Sequence, residues 1–165
     1  MAPASEENLA ATVRKRVHVA DIESKLDVAT KTKLLGVLGR ESSFHCWAMT
    51  SSRRGFYEKM GVGDAVLFTP KGTGRFTYQA TVRGKLESQP LGELLWTVVP
   101  GKPWSLIYFV DDVKSVSIKK RQLLNELGYS PKFDLPGIQP ADSEKLGAAI
   151  RRHGSLKALL ESASA

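Results

Sequence analysis

Apolar positions along this chain change their rhythm twice. Between residues 13 and 38, Val17, Val19, Ile22, Leu26, Val28, Leu34, Leu35 and Leu38 recur loosely every three to four residues. That spacing predicts one or two short helices, with Asp21 as an N-cap and Gly39 as a stop. The middle of the chain then breaks into short apolar runs between turn residues. These read as strands over 44–50, 65–69, 76–86, 104–110 and 113–118. Gly61-Val62-Gly63-Asp64 is a tight turn, and 70–75, with Gly72 and Gly74, is a hairpin loop. Helical turns are expected at 56–60 and 91–96, a Pro/Gly loop at 98–103, and a turn at Asp111-Asp112.

Helical spacing returns at 119–127, where Leu123, Leu124 and Leu127 share a face ahead of Gly128. A proline-punctuated loop follows over 130–140. Asp142 or Ser143 then caps a last helix, which Gly154 interrupts before 156–162. The expectation is an α+β chain in three parts. Residues 1–40 form a helical lead-in whose first residues are disordered. Residues 41–130 form a small curled β-sheet or β-barrel, and 131–165 a loop and C-terminal helix packing on the same domain.

Composition narrows the class. At 165 residues with 42% apolar and 25% charged side chains, the chain has the make-up of one globular domain. Its single cysteine, Cys46, excludes an internal disulfide and a cysteine zinc finger. Apolar runs are too short to span a bilayer, and the Ala-rich opening with Glu6 and Glu7 lacks the features of a secretory leader. The expected protein is soluble and cytoplasmic, with no membrane partner. Its 24 basic against 17 acidic side chains leave a net charge of +7. Residues 41–130 hold twelve basic and eight acidic of these, so +4 of the +7 lies in the middle segment, among the aromatics. A surplus of this kind suits a polyanion, because each phosphate contact releases condensed counterions.

No nucleotide, hydrolase or zinc-protease motif occurs. His18, His45 and His153 are scattered, Glu23-Ser24-Lys25 lies in a helical pattern, and adjacent Asp111 and Asp112 on a strand would face opposite ways. The expectation is a protein with no catalytic residues, no metal and no cofactor. Aromatic placement is more informative. Trp47, Trp96 and Trp104 each stand at the edge of a predicted element beside a polar or basic loop. Two indoles facing each other can hold an unpaired base, and a methyl group on that base adds apolar contact. Arg53, Arg54, Lys71, Arg75 and Lys102 lie in neighbouring loops, where they suit flanking phosphates.

Four pieces in order then carry a resemblance. They are Trp-Ala-Met-Thr and its polar loop (47–55), Gly-Val-Gly-Asp-Ala-Val-Leu-Phe (61–68), Gly-Thr-Gly-Arg-Phe (72–76), and Leu-Leu-Trp with Pro-Trp-Ser-Leu-Ile-Tyr-Phe (94–109). The stretch 44–118 resembles the PUA-like superfamily, and within it the EVE and YTH-type domains. The resemblance implies a small barrel that receives a modified base in an aromatic cage. By position Trp47 and Trp96 would be the cage walls, with Trp104 a third wall or core packing. Thr50, Ser51 and Ser52 would meet the base edge. The loop after Trp47 departs from the family in lacking the asparagine common in YTH domains, which leaves the modification open.

The implied function is a non-catalytic reader of double-stranded DNA that flips out a methylated base, as in modification-dependent restriction systems. A partner nuclease domain or subunit would then do the cutting. The alternative on the same fold is a module for modified RNA or tRNA. A third class is a protein-interaction domain with all three tryptophans buried.

Overall fold

The structure, a computed structural model, describes residues 1–96, 104–135 and 137–164. Among the described residues there are six strands: β1 (Ala2–Ala4), β2 (Val17–His18), β3 (Ser43–Met49), β4 (Ala65–Pro70), β5 (Arg75–Glu87) and β6 (Leu106–Lys119). They hydrogen-bond in the order β1-β4-β5-β6-β3-β2. β1 runs parallel to β4, whereas β2–β3 and β3–β6 are antiparallel. The sheet is therefore mixed, and it stays open rather than closing into a barrel.

The chain divides into two compact units. β5 and β6 each run through both.

One unit comprises 6–65 and 80–113. Its helices are α1 (Glu6–Leu9), α2 (Val19–Ile22), α3 (Val28–Leu38), α4 (Arg54–Lys59) and α5 (Gln89–Leu95). Asp21 lies inside α2, and the helix-capping aspartate is Asp27. Its carboxylate accepts from the Thr30 amide (2.9 Å) and hydroxyl (2.7 Å), satisfying one of the donors that a helix start leaves open. β3 is buried on both faces from Cys46 to Met49, where its apolar residues are consecutive, while Ser43 and His45 are half-buried. Its register with β6 pairs Cys46 with Phe109 and Ala48 with Ile107. These residues join Phe44, Leu34, Leu38, Leu86, Leu91 and Trp96 in one core.

β6 corrects the sequence reading of two strands split by a turn. It is continuous for 14 residues, passing Asp112 through a left-handed backbone conformation (φ 51°) that aspartate tolerates better than most residues. The Asp111 carboxylate, instead of chelating or capping, lies 3.4 Å from Arg83.

The other unit comprises 1–5, 66–79 and 114–165. The first residues, expected to be disordered, form β1. Ala2, Pro3 and Ala4 pair with Phe68, Thr69 and Pro70, a contact between residues more than sixty positions apart. The helices here are α6 (Lys120–Glu126), α7 (Ser143–His153) and α8 (Leu156–Ser162). Asp142 caps α7 by accepting from the Glu144 and Lys145 amides, both at 3.0 Å. Leu67, Phe76, Ile118, Leu123, Leu127, Ala149, Leu159 and Leu160 form this unit's core.

Among the described residues, no helix is long and apolar enough to cross a membrane.

Candidate nucleic-acid interface

All three tryptophans come together in the 6–65/80–113 unit. Trp47 sits near the end of β3, Trp96 directly follows α5, and Trp104 precedes β6. Ring centroids are 6.4 Å apart for Trp47–Trp96, 5.5 Å for Trp47–Trp104 and 5.9 Å for Trp96–Trp104. The first pair meets edge to face at 72°. A base sandwiched between two rings needs them parallel and roughly 7 Å apart, two van der Waals contacts. In this arrangement the space beside Trp47 and Trp96 is taken by the Trp104 ring. Trp47 and Trp96 are each 2% exposed, and Trp104 is half-buried. Trp104 is therefore the member of the cluster that meets solvent.

Local sequence explains why these rings converge. Ser88 caps α5 by accepting from the Leu91 amide, and Pro90 occupies its first turn. One turn later Gly92 lies against the backbone of Trp104. A Cβ built at Gly92 would fall 2.1 Å from the Trp104 carbonyl oxygen. The missing side chain is what admits the chain at Trp104 onto α5. The Gly92 carbonyl in turn accepts from the Trp96 amide at 3.1 Å, fixing the exit of the helix at the second indole. The Trp96 side-chain Nε1 is buried and has no hydrogen-bond partner among the described residues.

The polar segment after Trp47 is surface. Thr50 Oγ1 and Ser52 Oγ are 2.8 Å apart in a short turn, and Ser51 and Ser52 are exposed. This segment continues into α4, which is fastened from two sides. Lys85 Nζ donates to the carbonyls of Tyr57 (2.8 Å), Glu58 (3.2 Å) and Met60 (2.7 Å) and lies 5.0 Å from the Tyr57 ring centre. Arg54 forms a two-point pair with Glu87, at 2.5 and 3.0 Å. The Arg54 hydrogen bonds hold the Glu87 carboxyl below its usual range. Tyr57 donates to the Ile107 carbonyl at 3.0 Å, and burial pushes its pKa up to about 12.

The expected phosphate contacts fall into different situations. Arg53 lies beside the polar segment on this unit. Arg54 is already engaged by Glu87. Lys71 and Arg75 belong to the other unit. There Arg75 donates to the Ser117 carbonyl (3.2 Å) and hydroxyl (2.9 Å), while Lys71 is exposed at a turn built on Gly72 and Gly74, both at positive φ. Lys102 lies outside the described residues.

Gly92, Lys85 and Glu87 escaped sequence reasoning, since each acts on residues more than ten positions away. The pattern Ser-x-Pro-x-Gly at 88–92 was the available signal for a capped helix with one bare position. Among the described residues no group of histidine, cysteine or acidic side chains is placed to hold a metal ion.

No family model matches the chain, and no curated protein matches it. Among solved structures, the chain is similar to the N-terminal domain of Thermococcus gammatolerans McrB bound to m5C DNA. The two share 16% identity with a TM-score of 0.61, over 92% of this chain and 93% of that chain. At that identity the likeness speaks to the fold alone, and the fold it supports is α+β.

Proposed function

We propose that this chain is a non-catalytic DNA reader that receives a methylated base, flipped from the duplex, at the tryptophan cluster. The carrying observation is the convergence of three indoles, one of them at the surface, in a fold shared with a domain solved on m5C DNA. Trp47 serves as the wall on which the base stacks, and Trp96, inclined at 72° to it, as the wall that meets the base's edge. Trp104 acts as a gate whose ring yields its place to the base. Flipping costs a few kcal/mol of unstacking, and each aromatic contact returns about 1–3 kcal/mol. Displacing Trp104 forfeits ring contacts of about 0.5–1.5 kcal/mol per pair. The terms nearly cancel, so phosphate contacts and the methyl group tip the balance, and binding should be steeply salt-dependent.

In this reading Thr50, Ser51 and Ser52 face the base edge and Arg53 the adjoining phosphate. The use would be recognition for a modification-dependent restriction system, with a partner nuclease. The likeness to a domain bound to m5C DNA favours DNA over modified RNA, and 5-methylcytosine over methyladenine.

Fluorescence anisotropy on duplexes with one 5-methylcytosine, one N6-methyladenine or neither, and on the matching methylated RNA, tests the reading. Trp47→Ala should abolish the preference for the methylated duplex, while Trp104→Ala should retain it within about threefold. A folded Trp47→Ala that keeps the preference would make the cluster ordinary core. Tighter binding to the RNA would transfer the function to RNA.

A further inference from the structure

We propose that the indole N–H of Trp96 is the hydrogen-bond donor that reads the flipped base, an inference resting on the reader function above. Trp96 is 2% exposed, and its backbone amide is already satisfied by the Gly92 carbonyl. Its Nε1 has no partner among the described residues. Buried donors without a partner are rare, because removing an N–H from water without replacing its acceptor is unfavourable. The ring that carries this Nε1 stands in the cluster with its centroid 5.9 Å from that of Trp104, the half-buried ring. A second indole, whose own nitrogen is only a donor, offers the N–H no strong acceptor, whereas a pyrimidine in the same place carries a carbonyl oxygen and a ring nitrogen. An indole can donate but never accept. The ligand class is therefore a flat base presenting an acceptor edge to Trp96, with its methyl group on another edge.

A second buried group provides the control. The Tyr108 hydroxyl is equally without a partner among the described residues, and as the antiparallel partner of Trp47 it lies on the same face of the β3–β6 ladder, which makes it the rival donor, although Tyr108 is fully sealed. It should play no part in reading.

The experiment measures the ratio of affinities for 5-methylcytosine and unmodified duplexes, using the full chain. Trp96→Phe keeps an aromatic wall and removes the donor, and should lower the ratio about tenfold, equivalent to about 1.4 kcal/mol. Replacing Trp96 with benzothienylalanine, which has sulfur in place of N–H and nearly the indole shape, should lower it equally. This second variant covers the case in which phenylalanine disturbs packing. Tyr108→Phe should leave the ratio unchanged. An unaltered ratio with benzothienylalanine, or a loss on Tyr108→Phe instead, would overturn the assignment. Should Trp47→Ala also keep the ratio, the reader function itself fails; should Trp47→Ala lose it, only the donor inference does.

Discussion

Replacing Gly92 with alanine would place a methyl carbon 2.1 Å from the carbonyl oxygen of Trp104 and 2.9 Å from its carbonyl carbon. Real Cβ contacts stay beyond 3.0 Å, so the two backbones must part by at least 0.9 Å. Neither side yields easily. Gly92 is inside a helix capped by Ser88, and the next residue after Trp104 is tied back by the Ser88 amide donating to the Ser105 carbonyl at 2.9 Å. Overpacking of this kind costs about 1–3 kcal/mol. Alanine returns up to about 1 kcal/mol of helix propensity over glycine. The net expectation is a loss of about 1–2 kcal/mol, or a urea midpoint lower by about 0.5–1 M at a slope of about 2 kcal/mol/M. Because the displaced atom is the backbone of an indole in the cluster, near-UV circular dichroism should lose part of its tryptophan signal. The methylated-to-plain affinity ratio should change with it. A variant as stable as the parent, or more stable, with an unaltered near-UV spectrum would refute the close approach and its role in placing Trp104.

Glu87→Gln should free Arg54 and raise the net charge by one. Both methylated and plain duplexes should then bind more tightly, with a salt slope steeper by about one unit, and an unchanged slope would remove Arg54 from the interface. Cys46 is fully buried, and burial pushes its thiol pKa well above the ordinary 9.0. The unfolded chain therefore loses this proton first, so stability should fall as pH rises above about 9; urea titrations of Cys46→Ala should lack that slope between pH 9 and 10. Above pH 10 Tyr57 and Tyr108, both also raised by burial, should steepen the loss.

Sequence alone determined what neighbours along the chain can decide. The apolar run Phe44-His45-Cys46-Trp47-Ala48-Met49, interrupted only by His45, reads as a buried strand, and the structure buries it on both faces from Cys46 to Met49. Gly61-Val62-Gly63-Asp64 turns because Gly63 adopts positive φ and the Asp64 carboxylate accepts from the Gly61 amide at 2.8 Å. Asp142 caps α7 from its own next few residues. The α+β character was visible too, whereas of the three tryptophans expected at a rim only Trp104 meets solvent, Trp47 and Trp96 being buried. Tertiary structure decided the rest. Ala-Pro-Ala at 2–4 carries no strand signal, and only the exposed ladder of β4 recruits it. Asp111-Asp112 looks like a turn, yet β6 runs through it, with Asp112 at positive φ and the Asp111 carboxylate beside Arg83, twenty-eight residues away. Nothing near Arg54 announces Glu87, and nothing near Gly92 announces the carbonyl of Trp104. Local conformation follows from torsions and caps within one turn or one strand, which a sequence displays directly. Whether three indoles face a ligand or one another depends on contacts closed across dozens of residues, and those exist only once the chain has folded.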